Sequence, residues 1–174
     1  MLEESYNHLQ IEDKIYNFWE SNKLFEPKKN NNKKYFSIVI PPPNVTGNLH
    51  MGHALNNSIQ DLLVRFYRLK GYETLWQPGT DHAGIATELV VEKKLNEKNQ
   101  SKNTLGREKF LKEVWNWKEH SGNLIINQLK KLGSSCDWSQ TRFTMDTNMS
   151  DAVVKVFLEL HKKKLIYKDF KLSN

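Results

Sequence analysis

The sequence has very little cysteine, since Cys136 carries its only thiol. A single cysteine excludes an internal disulfide and a zinc site built from several cysteines within these residues. We predict a buried, inert thiol at this position. The chain also lacks any run of about 18 apolar residues and any secretory signal at its start, so we expect a soluble, cytoplasmic protein with no membrane partner.

The two common phosphate-binding loops are also missing. Neither G-x-x-x-x-G-K-[ST] nor G-x-G-x-x-G occurs, so a nucleotide site in this chain would have to use another device. The formal net charge of +6 favours an anionic partner. The sign of the charge alone does not separate tRNA from a nucleotide, or either from simple solubility.

Apolar periodicity predicts a helix near the start of the chain. Ile11, Ile15, Phe18 and Trp19 recur at helical spacing, and we expect this face to pack on the main domain. The helix should end before Pro27, and the polar run at 28–34 should form a loop.

Strands and helices then alternate. Apolar residues at 35–40 predict a short buried strand, which Pro41 ends, and helical spacing from Leu55 to Leu69 predicts a helix capped by Gly71. A second strand at 73–79 and a second helix at 84–95 follow. This order predicts an α/β fold with parallel strands.

The remaining segments predict further helices. A long helix contains Phe110 and Leu129 and stops at Gly133, with Trp115 and Trp117 as packing residues. Residues 135–146 should be irregular or extended, residues 153–160 helical, and residues 165–172 the start of a strand.

The segment from 41 to 57, PPPNVTGNLHMGHALNN, lies where the first strand passes into a helix. In open α/β sheets, ligands bind beyond the carboxyl ends of the strands, where helix N-termini favour anions. His50 and His53 are three residues apart and point to the same side. Two imidazoles there could donate hydrogen bonds to phosphate oxygens, and Gly52 would let a ring or a phosphate come close.

A histidine pair at this spacing is weak evidence by itself. Such pairs also serve structural purposes, for example when they cap a helix. A metal site would need a third ligand, which Asp81 or His82 could supply from the end of the next strand.

Several stretches resemble the class I aminoacyl-tRNA synthetases. NLHMGH, Asn48 to His53, resembles their HIGH signature. Together with WQPGTDHAGIATELVVE at 76–92, the stretch that begins PPPNVTG resembles the valyl-tRNA synthetases closely. The resemblance continues through GREKFLKEVWNWKEHSG, QLKKLGSSCDWSQTRFTMD and LIYKDFKLSN, and so covers nearly the whole chain.

This resemblance implies a fold and a reaction. Residues 33–174 would form the first half of a Rossmann-like catalytic domain, behind an N-terminal helical extension at 1–32. Valine would attack the α-phosphate of ATP, which brings Mg²⁺, and the valyl group would pass from the adenylate to tRNA(Val). The full-length form is expected to be a monomer.

The resemblance also implies roles for individual residues. His50 and His53 match the catalytic histidines that contact the phosphates, and Asn48 and Gly52 complete the ATP site, with the glycine beneath the adenine. No metal ligand is implied, because Mg²⁺ would be held mainly by phosphates.

Another set of residues matches the amino-acid pocket. Asp81 matches the acidic residue that holds the α-ammonium group, while Pro42 and Asn44 match positions that shape the pocket. An alternative for Asp81 is the N-cap of the following helix.

Other parts of the family pattern have no match here. We find no KMSKS loop, editing module or anticodon-binding domain. We therefore interpret the chain as the N-terminal catalytic segment of a longer ligase, inactive by itself. The alternative is a non-catalytic nucleotide- or RNA-binding module derived from a synthetase.

Overall fold

The computed structural model of the chain describes residues 6–28 and 32–170. In chain order its elements are α1 (His8–Ser21), β1 (Tyr35–Val39), α2 (Met51–Leu69), β2 (Glu73–Gln77), β3 (Gly79–Thr80), α3 (Ile85–Asn96), α4 (Lys102–Leu105), α5 (Arg107–Lys131), a 3₁₀ turn (Trp138–Gln140), β4 (Arg142–Phe143) and α6 (Thr147–Lys162).

The strands pair in parallel, as the alternation of strand and helix predicts. β1 pairs with β2 from Tyr35–Glu73 to Val39–Gln77, and α2 connects the two strands. β3 pairs with β4, also in parallel. An isolated parallel bridge also pairs Asn44, which follows β1, with Asp81, which follows β2 and β3. The segments that follow β1 and β2 are therefore neighbours.

The main core forms where β2, α2 and α5 meet. Trp76 and Ile125 have no exposed surface, and they pack in one cluster with six other buried residues: Ile40, Val45, Val64, Leu129, Cys136 and Phe143. Burying one such large apolar side chain contributes about 1.5–3 kcal/mol. Cys136 is fully buried, and burial raises the pKa of its thiol, which confirms the predicted inert cysteine.

Helix α1 packs on this core, but through a different face from the one predicted. The Tyr16 hydroxyl donates to the Ser134 carbonyl over 2.6 Å and accepts a hydrogen bond from the Trp138 indole over 2.7 Å. These two bonds orient the helix around Tyr16. Ile15 and Phe18 are exposed as a result, so their assignment to the packing face was wrong.

Strand β1 is not the buried strand that its composition predicts. Phe36 and Ile38 pack toward the core, and Phe36 stacks on Tyr67 of α2 with 3.9 Å between ring centroids. Tyr35 and Val39 alternate with them and are 58% and 71% exposed. The prediction was wrong because α2 covers one face of the strand, while no element of the described residues covers the other.

Helix α2 also has an apolar side that meets solvent. The residues whose spacing predicts the helix are all exposed: Leu55, Ile59, Leu62, Leu63, Phe66 and Leu69. We call these six residues the outward face of α2. Asn57 and Val64 are its buried residues. The helix ends at Leu69, and Gly71 follows with φ +81°, which confirms the predicted glycine cap.

Most of the remaining predictions are confirmed. Helix α5 ends at Lys131, shortly before Gly133, and both of its tryptophans pack on protein: Trp117 donates to the Val45 carbonyl, and Trp115 contacts the Phe143 ring edge-on. Helix α6 confirms the last predicted helix.

Three predicted features lie at or beyond the limits of the described chain. Residues 165–170 form no strand, so the expected strand start is absent from the part of it that is described. Residues 171–174 and three residues of the predicted loop, 29–31, lie outside the described ranges. The division at residues 32 and 33 stays a prediction. No described helix has the length and apolar character needed to cross a bilayer.

Candidate active site

A cleft of about 550 Å³ opens between the end of β1 and the start of α2. Six of the seven predicted site residues line it: Pro42, Asn44, Asn48, His50, Gly52 and His53. The seventh, Asp81, is bridged to Asn44 at its edge. The structure therefore brings together residues that the sequence places in two separate segments.

The two histidines cap helix α2 reciprocally. His50 is the N-cap residue, and its Nδ1 accepts a hydrogen bond from the Gly52 N–H over 3.1 Å. The Nδ1 of His53 accepts from the His50 N–H over 3.3 Å. Because Nδ1 is the acceptor in each ring, the neutral imidazole carries its hydrogen on Nε2.

Helix capping and ligand binding are therefore compatible in this pair. Each ring uses one nitrogen for the backbone and keeps an N–H donor on the other side. The ring centroids are 4.0 Å apart. Burial, and secondly the neighbouring His50, lower the pKa of His53 below its ordinary value, which favours the neutral form.

Gly52 has a structural task in this arrangement. A Cβ at this position would lie 2.9 Å from Cε1 and 3.0 Å from Nδ1 of His50. Such contacts are closer than real Cβ atoms tolerate, so the glycine makes room for the capping imidazole. Sequence reasoning assigned the space to a ligand alone.

Helix α5 holds the segment that leads into the histidines. The Nε2 of Gln128 donates to Asn48 Oδ1 over 3.0 Å, and its Oε1 accepts from the Leu49 N–H over 2.9 Å. Trp117 donates to the Val45 carbonyl over 2.8 Å. Sequence reasoning missed Gln128, because no local pattern links it to residues about 80 positions away.

Asp81 is fixed beside the cleft by its backbone. Its N–H donates to the Pro43 carbonyl over 2.8 Å, and its own carbonyl accepts from the Val45 N–H over 2.9 Å. These bonds form the bridge that aligns Asp81 with Asn44.

The side chain of Asp81 is held through one oxygen. Oδ1 accepts from the Ala83 N–H over 2.8 Å and lies 3.4 Å from the Thr144 hydroxyl. Oδ2 has no partner among the described residues, so it is available to a ligand. Gly84 is the N-cap of α3, so the alternative assignment of Asp81 to that cap was wrong.

His82 turns to Thr144 rather than to the paired histidines. Its Nδ1 lies 2.6 Å from Thr144 Oγ1, which also accepts from the His82 backbone N–H over 2.9 Å. The described residues contain no group of three or more histidine, cysteine, aspartate or glutamate side chains placed to hold a metal.

Sequence comparison identifies the family. A profile of the tRNA synthetases class I (I, L, M and V) matches residues 14–174. The chain belongs to this family. The cleft therefore lies in a class I tRNA synthetase fold, with the NLHMGH segment at the start of α2.

Curated relatives are similar along the full chain. The valine–tRNA ligase of Pelagibacter ubique is 67% identical over 174 residues, and that of Rhodopseudomonas palustris is 57% identical over 177 residues. The match covers all of this chain but 20% and 18% of those proteins. The chain thus spans about a fifth of the length of these class I synthetases.

A solved synthetase structure has the same fold. It is the leucyl enzyme LeuRS of Agrobacterium radiobacter K84 in a ternary complex with tRNA and LeuAMS. The TM-score is 0.75 at 23% identity, over 95% of this chain and 19% of that one. The likeness confirms the Rossmann-like α/β fold expected for this class.

Proposed function

We propose that this chain carries the amino-acid-activating segment of a valine–tRNA ligase. The reaction joins valine to AMP and then transfers the valyl group to tRNA(Val). ATP enters with Mg²⁺ held mainly by its phosphates. The complete enzyme works as a monomer in the cytoplasm.

The cleft supports this proposal, because N–H donors suited to phosphate oxygens and a carboxylate lie together there. The Nε2–H groups of His50 and His53 donate to phosphate oxygens, and Asn48 and Gly52 complete the ATP side. Oδ2 of Asp81 accepts from the α-ammonium group of valine. Pro42 and Asn44 line the same cleft.

The chemistry needs no covalent enzyme intermediate. A carboxylate oxygen of valine forms a bond to the α-phosphorus of ATP, and the bond from that phosphorus to the bridging oxygen breaks. Pyrophosphate leaves with the electron pair. Donors that face the phosphates stabilise the charge that grows on their oxygens in the transition state. A ribose hydroxyl of the tRNA terminus then attacks the valyl carbonyl and gives up its proton, while the bond from the carbonyl carbon to the phosphate oxygen breaks and AMP leaves with the electron pair.

The 174 residues are expected to be inactive by themselves. The outward face of α2 and one face of β1 are exposed, and so are Val153 and Phe157 of α6. Apolar surfaces of this kind are typical of faces that pack against further polypeptide.

Valine-dependent exchange of pyrophosphate into ATP tests the proposal. It is measured on the protein from the complete reading frame, on the 174 residues alone, and with isoleucine, leucine or methionine in place of valine. We expect exchange from the complete protein, strongest with valine, and none from the 174 residues.

Two variants connect this activity to the cleft. Replacing both His50 and His53 by alanine removes two transition-state donors and should lower the exchange rate at least about a hundredfold. The exposed His161→Ala on α6 is the matched control and should leave the rate unchanged. Wild-type exchange in the double variant would refute the role of the cleft, and absence of valine-dependent exchange in the complete protein would refute the ligase.

A further inference from the structure

Gln128 makes two hydrogen bonds to the residues just before His50, as an acceptor in one and as a donor in the other. Its side chain is half-buried on α5, where it accepts from the backbone of Leu49 and donates to the side chain of Asn48. Trp117, three turns earlier on the same helix, holds the Val45 carbonyl. Helix α5 thus holds the chain at both ends of the stretch that leads to His50.

The two contacts of Gln128 determine which way each amide group faces. The Leu49 N–H can be met only by an acceptor, so Oε1 of Gln128 must face it. Nε2 then faces Asn48, and only Oδ1 of Asn48 can accept from it. Asn48 is consequently left with its Nδ2 donor pointing away from Gln128.

The cleft consequently gains a third donor beside the histidines. Asn48 lines the cleft together with His50 and His53. Both rings have their acceptor nitrogens occupied by backbone N–H groups. The three side chains have their acceptor atoms satisfied within the protein and donor groups left over, a pattern that suits phosphate oxygens.

We propose that Gln128 is a positioning residue of the ATP site, which orients the Asn48 amide so that its N–H₂ group faces the nucleotide. The proposal rests on the function proposed above, because it assigns the nucleotide to this cleft. Gln128 acts through Asn48 and Leu49 and does not touch the substrate. Its loss should therefore affect the use of ATP and spare the recognition of valine.

The test replaces Gln128 in the complete protein by methionine, which keeps the length of the side chain and removes both hydrogen bonds. We expect the KM for ATP in valine-dependent exchange to rise up to about tenfold, as for one lost hydrogen bond, while the KM for valine stays within about twofold. Asn127→Ala, an exposed neighbour on α5, is the matched control and should change neither value. A circular dichroism melt verifies that both variants fold.

A double-mutant cycle with Asn48→Ala separates orientation of the amide from support of the backbone. In the Asn48→Ala background, Gln128→Met should cost at most about threefold, because no amide is left to orient. An equal tenfold cost in both backgrounds would overturn the proposal, and so would an unchanged KM for ATP in the single variant.

Equilibrium dialysis with ATP makes the test independent of the ligase assignment. If the complete protein binds ATP without valine-dependent exchange, the ligase proposal fails, while weaker ATP binding by Gln128→Met still supports the positioning role. A wild-type protein that binds no ATP would overturn both.

Discussion

The two sides of the cleft differ in their chemistry and in what holds them. On the side that we propose for the nucleotide, the imidazoles of His50 and His53 are held by the start of α2, and Asn48 is held by α5. On the other side, the Asp81 carboxylate is held by Ala83 and lies within reach of Thr144. One side provides N–H donors and the other a free carboxylate oxygen.

The binding of the two proposed substrates should therefore be separable by substitution. A phosphate group fits the donor side, and an ammonium group fits the carboxylate side. Because separate contacts support each side, a substitution on one side should leave the other largely intact.

Asp81→Asn should have the largest effect on valine. Asparagine keeps an oxygen for the Ala83 N–H but replaces the free oxygen by an N–H₂ group, which repels the ammonium. The KM for valine should rise about ten- to hundredfold, the range for a lost charge-assisted hydrogen bond, with the KM for ATP unchanged. The exposed Asp151→Asn on α6 serves as the control. Equal increases in both KM values would show that the two sides are not separable.

Gly52→Ala should damage the nucleotide side with little change in stability. The new Cβ displaces the His50 ring and breaks its cap, which costs about 1 kcal/mol, while alanine gains about 1 kcal/mol of helix propensity. The exchange rate should fall about tenfold through loss of one oriented donor, with the melting temperature nearly unchanged.

Gly122→Ala is the matched control for this substitution. A Cβ at Gly122 meets nothing within 4 Å, so we expect a gain of about 0.5–1 kcal/mol in the free energy of unfolding and no loss of activity. Full activity in Gly52→Ala would mean that the position of the His50 ring does not matter.

The smallest effect is a pH dependence of stability from His53. Its pKa in the folded protein lies below the ordinary value of 6.5, so the unfolded chain binds the proton more tightly. The contribution of His53 to the free energy of unfolding is therefore complete above about pH 6.5, and it is lost as the pH falls through the folded-state pKa. Protonation of Nδ1 would also break its bond from the His50 N–H.

Thermal melts between about pH 5 and 8 measure this effect. His53→Asn keeps an acceptor for the His50 N–H without a titrating group, so its melting temperature should fall less on acidification than that of the wild type. The exposed His8→Ala is the control and should follow the wild type. Identical slopes in wild type and His53→Asn would exclude His53 as the source.

Local sequence patterns predicted the elements well. The bounds of α2 and α5 and the glycine caps after them follow from apolar spacing and from glycine at the required positions. The same patterns did not predict which faces of these elements are buried. β1 has the composition of a buried strand, yet Val39 is exposed, because composition does not say how many neighbours a strand has.

The candidate site was predictable in residue type and not in arrangement. The spacing of His50 and His53 places both rings on one side of a helix. It does not show that each ring gives one nitrogen to the backbone, which depends on side-chain rotamers. The N-cap alternative for Asp81 failed for a similar reason, since Gly84 is the N-cap of α3 and the Asp81 carboxylate accepts from Ala83, in the turn before it.

The order of strands and helices, the start of α2 at the histidines, and the family can all be read from the chain without its fold. Periodicity and caps involve residues within a few positions of one another, so they are visible in the chain. Only the tertiary structure decided which way the Asn48 amide faces, because its partner Gln128 is 80 positions away. It also decided which apolar faces are covered, because burial depends on packing between distant segments.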